Sequence, residues 1–177
     1  MTIRPATYDD LPAMRAIYAP HVYAGTASFE YTVPTLEQFT ERFERITEHF
    51  PWLVAEENGE VLGYAYGDQI FSRAAYAWTA DYALYIRGDA QGKGIGKALS
   101  LALEQELADI GVVNLLALIT EDNAASIALH ERLGYTHVGR MPHAGYKFGR
   151  WLGVVWMMKI IRDDAMPGPM PVPPKNG

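Results

Sequence analysis

Apolar residues recur at helical spacing in two segments of the first third of the chain. The segment 8–23 opens with Asp9 and Asp10, which favour the start of a helix, and the segment 35–50 stops at Pro51, which cannot continue one. The apolar stripe of the second segment consists of Leu36, Phe39, Phe43, Ile46 and Phe50. The two patterns predict two amphipathic helices on a shared core, with a loop between them.

The middle of the chain changes to the alternating pattern of strands. Segments 52–56 and 61–66 flank Asn58-Gly59, a dipeptide typical of a two-residue hairpin turn. Segment 78–87 predicts a further strand. Its alternation places Tyr82, Leu84 and Ile86 on one face and Asp81, Ala83 and Tyr85 on the other. The strand therefore carries a carboxylate among large apolar side chains.

The second half of the chain mixes helical and strand patterns. They predict a helix at 95–110, a buried strand at 115–120, a helix from Asp122 or Asn123 to Gly134, and closing strands at 135–140 and 151–161. This order predicts an α/β (α+β) fold, with a mixed sheet and helices on both faces. We expect a single domain over residues 1–163. Residues 164–177 are rich in proline and glycine, which predicts an extended or disordered tail.

Composition and charge exclude several functional classes. The chain has 177 residues, a formal net charge of −6 and no basic stripe, so we expect no nucleic-acid partner. The absence of cysteine excludes disulfides, thiolate metal sites and a cysteine nucleophile. The histidines lack the paired spacing with carboxylates that a metal site needs. No apolar run reaches membrane-spanning length and the N-terminus shows no leader, so we expect a cytoplasmic protein without a membrane partner.

A glycine-rich turn between the strand at 78–87 and the helix at 95–110 is the most informative motif. The stretch 87–99 reads RGDAQGKGIGKAL. Glycines let a phosphate approach backbone N–H groups, and the start of a helix favours negative charge. The Walker A and Rossmann fingerprints do not fit, because their residue types and glycine spacing differ from those found here. By itself the motif is compatible with a phosphate site or with a purely structural turn.

Two motifs carry a resemblance to the GNAT acetyltransferase superfamily. Gln91-x-x-Gly94-x-Gly96 resembles its pyrophosphate loop, and the segment from Asn123 to Tyr135 resembles the element that contacts the pantetheine arm. The resemblance implies a GNAT fold with about seven strands and about four helices around one mixed sheet. It also implies acetyl-CoA as co-substrate, and no metal.

Four further segments narrow the resemblance to the phosphinothricin acetyltransferase family. They are 51–56, 75–80, 129–135 and 144–151. That family includes enzymes that acetylate methionine sulfone and methionine sulfoximine. The resemblance therefore implies transfer of an acetyl group to the α-amino group of a small amino-acid-like substrate.

The resemblance implies which residues form the site. The acetyl-CoA contacts fall on Leu84, Tyr85, Ile86, Gln91, Gly92, Lys93, Gly94, Ile95, Gly96, Lys97, Asn123 and Ser126. The substrate contacts are Arg73 and Tyr76 for the carboxylate, and Phe29 and Phe71 for an apolar wall. Relatives place a glutamate, taken to be the general base, where this chain has Asp81; the shorter side chain favours a water relay. His130 is the candidate to protonate the leaving thiolate.

The residues leave two other functions open. Within the fold, the acceptor is alternatively a protein lysine or a peptide N-terminus. Outside enzymes, the chain is alternatively a non-catalytic sensor of acyl-CoA. The aromatic segment 146–151 predicts a lid or a dimer contact, and the resemblance together with these aromatics and Trp156 leads us to expect a homodimer. Relatives carry an aspartate where this chain has Gly153, so whatever that side chain anchors is expected to be missing.

Overall fold

The computed structural model describes residues 1–163 and 167–172, which form one mixed β-sheet covered by helices on both faces. The helices are α1 (Leu11–Tyr23), α2 (Leu36–Thr47), α3 (Ile95–Asp109) and α4 (Ala124–Arg132). The strands are β1 (Thr2–Pro5), β2 (Trp52–Glu57), β3 (Glu60–Gln69), β4 (Thr79–Ile86), β5 (Asn114–Thr120), β6 (Thr136–Lys147) and β7 (Arg150–Ile160). Within the described residues the strand order is β1-β2-β3-β4-β5-β7-β6. The predicted fold class is confirmed.

The strands β4 and β5 form a parallel pair between two antiparallel halves of the sheet. Their pairing ends at Asp81 on β4 and Leu116 on β5, although β4 continues to Ile86 and β5 to Thr120. The two strands therefore separate beyond Asp81. On that side, the backbone of the second half of β4 faces a gap where a neighbouring strand would otherwise bind its N–H and C=O groups. This gap positions the site described below.

Different side chains fill the two faces of the sheet. Under α1 and α2 lies an aromatic cluster that consists of Tyr18, Phe39, Phe43, Trp52, Tyr64, Tyr66 and Tyr85. Under α3 the fully buried side chains are leucines, among them Leu103 and Leu107. A Cβ on Gly67 of β3 would lie 2.7 Å from Leu107, so the glycine allows α3 to approach the sheet closely. Both faces of the central strands are thus buried.

The sequence pattern misses the first strand. The four residues of β1, TIRP, are too few to show alternation and include a proline, which strands disfavour. β1 pairs with β2, and Arg4 forms ion pairs with Asp10 (2.7 Å) and Glu56 (2.6 Å) that hold it there. The strand is therefore specified by contacts that are distant in sequence.

The sixth strand is longer than predicted. β6 runs to Lys147, whereas the pattern predicts an end at Arg140. The pairing register with β7 shifts between Met141 and Gly145, and His143 within this bulge has φ of 54°. A bulge breaks the alternation on which a sequence prediction relies.

Part of the predicted tail contacts the domain. The indole N–H of Trp78 donates to the carbonyl of Gly168 (3.0 Å), and Val172 packs against the core. Residues 164–166 and 173–177 lie outside the described residues. The extended or disordered tail stays a prediction for them.

Candidate active site

A cavity of about 260 Å³ opens where β4 and β5 separate. Its wall contains side chains from both strands, from the first turns of α4 and from the loop between α1 and α2. The predicted site residues that line it are Phe29, Asp81, Leu84, Tyr85, Asn123, Ser126 and His130. The structure therefore brings together residues that lie as much as 101 positions apart in the sequence (Phe29 to His130).

Asp81 lies at the base of this cavity, where the β4–β5 pairing ends. Burial raises the pKa of its carboxyl to about 7, against an ordinary value of 3.8. The backbone N–H of Tyr82 donates to Oδ1 (2.8 Å) and opposes that shift, while the charge of Asp68 adds to it. A carboxylate with a pKa near 7 can take up a proton at neutral pH, which is what a general base requires.

His130 is buried in α4, with 3% of its surface exposed. Its Nδ1 lies 2.8 Å from the carbonyl oxygen of Ser126, so Nδ1 carries the hydrogen and donates it. Burial lowers the pKa of His130, which leaves the imidazole neutral at pH 7. Among the described residues, Nε2 has no hydrogen-bond partner. A neutral imidazole with a bare Nε2 accepts hydrogen bonds, which argues against the predicted role of proton donor to a thiolate.

The glycine-rich turn joins β4 to the N-terminus of α3. Gly94 is the residue before the helix and has φ of 81°, while Gly92 has φ of 75°. Nothing lies within 4 Å of a Cβ built on either glycine, so the backbone there is open to a ligand. Lys93 and Lys97 are exposed beside it. An open backbone, a helix N-terminus and two cations form a site suited to a phosphate group.

The side chain of Ile95 is buried in the core, so this residue can contact a ligand only through its backbone. At the start of α4, Asn123 Oδ1 accepts a hydrogen bond from the backbone N–H of Ser126 (3.2 Å). This cap fixes the orientation of the Asn123 amide, whose Nδ2 remains able to donate to a ligand in the cavity.

The segment between β3 and β4 contains three predicted substrate residues that do not line the cavity. Phe71 and Tyr76 pack against each other, with ring centroids 4.7 Å apart, and Tyr76 and Arg73 are exposed. The Arg73 carbonyl accepts a hydrogen bond from the Tyr76 N–H (2.9 Å), but across the residues that the structure describes its guanidinium has no ion-pair or hydrogen-bond partner. The segment leads into the strand that carries Asp81, which places it near the cavity but outside its wall. Their substrate contacts stay a prediction.

Nine lining residues were not among the predicted site residues, and two of them, Tyr66 and Ser28, show what the sequence could and could not reveal. Tyr66 lines the cavity because it lies on β3 opposite Ala83, on the same face of the sheet as Asp81. Strand alternation could have identified it. Ser28 comes from the irregular loop between α1 and α2, which shows no periodic pattern.

The loop of residues 24–35 is held against the β6–β7 hairpin. The ammonium of Lys147 is buried and donates to the carbonyl oxygens of Ser28 (2.6 Å) and Gly25 (2.8 Å). Burial lowers the pKa of Lys147. Phe29 lies flat on Gly145, where a Cβ would approach the ring to 2.5 Å. The hairpin end, predicted as a lid or dimer contact, thus supports one wall of the cavity.

Comparison with known proteins agrees with this geometry. The family model described as "Acetyltransferase (GNAT) domain" matches residues 3–156. The chain belongs to the GNAT acetyltransferase family. It is 39% identical over 170 residues to the phosphinothricin N-acetyltransferase of Alcaligenes faecalis, with 94% of this chain and 86% of that protein covered.

Two further GNAT relatives show the same likeness. The L-methionine sulfoximine/L-methionine sulfone acetyltransferase of Pseudomonas aeruginosa is 41% identical over 160 residues, covering 88% of this chain and 92% of that protein. The crystal structure of a phosphinothricin acetyltransferase from Sinorhizobium meliloti in complex with acetyl-CoA superposes with a TM-score of 0.87 at 37% identity. That match covers 90% of this chain and 87% of the other. This chain is therefore an N-acetyltransferase of the GNAT family.

Two kinds of feature are absent from the ranges 1–163 and 167–172. No helix there has the length and apolar character to cross a membrane. No group of three or more histidine, cysteine or carboxylate side chains is arranged there to hold a metal ion.

Proposed function

We propose that this enzyme transfers the acetyl group of acetyl-CoA to the α-amino group of a free L-amino acid. The preferred side chain is polar and tetrahedral, of the phosphinothricin, methionine sulfoximine or methionine sulfone type. The observation that carries the proposal is the Asp81 carboxyl, with a pKa near 7, at the base of the cavity between the separated strands. The names of the relatives support the substrate class.

The chain offers a continuous surface for acetyl-CoA. The pyrophosphate would rest on the backbone from Gln91 to Lys97, at the N-terminus of α3. The pantetheine arm would lie along the unpaired edge of Leu84 to Ile86, with the Asn123 amide as a donor. The acetyl group would then lie in the cavity beside Asp81, and a β4 backbone N–H would stabilise the developing oxyanion.

The proposed reaction combines proton transfer to Asp81 with transfer of the acetyl group from sulfur to nitrogen. Asp81 accepts a proton from the substrate ammonium, directly or through a water molecule, which leaves a neutral amine. The amine nitrogen bonds to the acetyl carbon, the carbon–sulfur bond breaks, and the nitrogen releases its second proton to solvent. A free thiol has a pKa near 8.5, so the thiolate leaves readily and takes its proton from solvent. His130 is not required as an acid and instead forms part of the wall.

The exposed Arg73 is the proposed partner of the substrate carboxylate. A free guanidinium binds a carboxylate through two parallel hydrogen bonds. With Tyr76 and Phe71 beside it, and Phe29 on the other side of the cavity, it would select a free amino acid over a peptide. A peptide carries no carboxylate on the residue that presents its amino group.

A homodimer is the proposed assembly. Tyr146, Phe148 and Trp151 at the β6–β7 turn are 49%, 55% and 57% exposed. Adjacent exposed aromatics are typical of a protein contact surface. A monomer mass by light scattering at micromolar concentration would overturn this part of the proposal.

A substrate panel tests the proposed function. Thiol release from acetyl-CoA should be measured with the three named amino acids, with ordinary L-amino acids, and with peptides that have a free N-terminus. We expect turnover of the named amino acids and loss of about 10²–10⁴ in kcat for Asp81→Asn. Faster turnover of the peptides would overturn the substrate assignment. Ligand binding without thiol release from any amine would overturn the assignment as a catalyst.

A further inference from the structure

A second carboxylate lies beside Asp81 on the neighbouring strand of the sheet. Asp68 on β3 is the direct cross-strand neighbour of Asp81 on β4. Side chains at opposed positions of an antiparallel pair leave the same face, with Cβ atoms about 4.5–5.5 Å apart. Like charges at such positions repel each other, so the pairing needs a physical reason.

The charge of Asp68 is held in place by helix α2. Arg45 donates from Nη1 to Oδ1 (2.9 Å) and from Nη2 to Oδ2 (2.7 Å) of Asp68. The backbone N–H of Gln69 also donates to Oδ1 (2.8 Å). Three donors fix the orientation of this carboxylate. The Asp68 carboxylate is therefore fixed beside the candidate base.

The other titratable groups around Asp81 are neutral or paired. Burial raises the pKa of Tyr66 and of Tyr85, so both stay neutral at working pH, and His130 across the cavity is neutral as well. On α2, Arg42 is bound to Glu30 (2.5 Å). The neighbour of Asp81 on β5, Leu116, carries no charge. Asp68 thus provides the charge that acts on Asp81 most directly, and its effect raises the pKa of Asp81.

We propose that the Arg45–Asp68 pair acts on the reaction through Asp81. The pair sets how readily Asp81 takes up a proton. The negative charge of Asp68 makes Asp81 hold a proton more strongly, and Arg45 limits this effect by neutralising part of that charge. The two residues act only through Asp81 and need not touch the substrate. The inference rests on the proposed role of Asp81 as the base.

The geometry predicts opposite effects for the two members of the pair. Asp68→Asn removes the repulsion, so Asp81 should titrate at a pH lower by about half a unit to one unit. Arg45→Gln leaves the Asp68 charge unpaired, so Asp81 should titrate at a pH higher by about half a unit. A purely structural pair would not move the titration in opposite directions when either member is removed.

Two measurements test the inference. The titration of the Asp81 carboxyl is followed by ¹³C NMR in the parent, Asp68→Asn and Arg45→Gln proteins, and the signal is assigned by its loss in Asp81→Asn. The pH profile of kcat/KM is recorded for the same proteins. Glu60→Gln is the matched control, because Glu60 is also a β3 carboxylate paired with an arginine (Arg87, 3.0 Å). It lies eight residues from Asp68, about 26 Å along the strand.

The outcomes separate this inference from the proposed function. Opposite NMR shifts in the two variants, with Glu60→Gln unchanged, support the inference. An unmoved titration in both variants, or shifts of the same sign, overturns it. If the NMR titration moves as expected but the acid limb of kcat/KM does not follow it, the pair controls Asp81 but Asp81 is not the base. That result overturns both the base assignment and the role of the pair in the reaction.

Discussion

The carboxylate of Glu121 fills the space that a side chain at residue 153 would occupy. A Cβ built on Gly153 would lie 2.5 Å from Glu121 Oε2, and the same oxygen accepts hydrogen bonds from Arg140 (2.6 and 2.9 Å). The resemblance to the phosphinothricin acetyltransferase family implies an aspartate at this position in relatives. In this chain the carboxylate beside Arg140 is that of Glu121, one residue after β5 ends.

The contact between residue 153 and Glu121 predicts that Gly153→Asp alone lowers the stability of the fold. Gly153→Asp brings a second carboxylate against Glu121, and we expect the free energy of unfolding to fall by about 1 kcal/mol from repulsion and displacement. The double variant Glu121→Gly with Gly153→Asp should recover most of the loss. The free energy of unfolding is measured by urea titration for the parent, both single variants and the double variant. Additive effects of the two substitutions would contradict the explanation.

A side chain added at Gly94 in the glycine-rich turn should weaken acetyl-CoA binding more than one added at Gly59, a glycine with the same φ elsewhere in the chain. Gly94→Val places a branched side chain where a phosphate must approach, so we expect acetyl-CoA binding to weaken by at least about tenfold, or 1.4 kcal/mol. Gly59→Val is the matched control, because Gly59 has the same φ of 81° and open space, but lies in the β2–β3 turn. Both variants bear the same backbone strain. Isothermal titration with acetyl-CoA distinguishes them, and equal loss in both would refute the loop assignment.

The raised pKa of Asp81 implies a cost to stability that depends on pH. An acid with a raised pKa keeps its proton in the folded protein where the unfolded chain has lost it, so stability falls as pH rises from about 3.8 to about 7. Asp81→Asn removes this cost while keeping an acceptor for the Tyr82 N–H. We expect stabilisation on the order of 4 kcal/mol at pH 8 and little change at pH 4.

Thermal unfolding at the two pH values checks this expectation. Asp109→Asn, at an exposed position on α3, is the control. An equal effect of Asp81→Asn at pH 4 and pH 8 would show that the carboxyl is not desolvated.

Arg73 should act on substrate binding and not on the chemical step. Loss of a charge-assisted clamp costs on the order of 2–3 kcal/mol, so Arg73→Ala should raise KM by up to about a hundredfold with little change in kcat. Arg132→Ala is the control, since Arg132 is also exposed but lies on α4. Steady-state kinetics with the best amino acid of the panel measures both constants. An unchanged KM would remove Arg73 from the site.

Features that depend on residues close together in the sequence were predicted correctly. The amphipathic stripe of α2, the Asn58-Gly59 turn and the alternation around Asp81 are local patterns, and each agrees with the structure. The glycine-rich motif identified the start of α3 for the same reason.

Features that depend on distant contacts were not predictable in this way. β1 is held by Glu56 and Asp10, and the end of β6 depends on a bulge paired with β7. The protonation state of His130 follows from a carbonyl one helical turn away together with burial by several elements. The exposure of Arg73 likewise depends on how a loop lies on the finished domain.

Because the buried ammonium of Lys147 holds the loop that carries Phe29, the order in which the chain is synthesised matters for activity. Ser28, whose carbonyl it binds, leaves the ribosome 119 residues before Lys147 does. Until β6 emerges, the Ser28 and Gly25 carbonyls lack this donor and the loop that carries Phe29 has no surface to lie on. The wall of the pocket that contains Phe29 can therefore close only when the last hairpin is in place. Competence for acetyl transfer is therefore expected only after β6 and β7 have been synthesised, because β7 also pairs with β5 in the sheet.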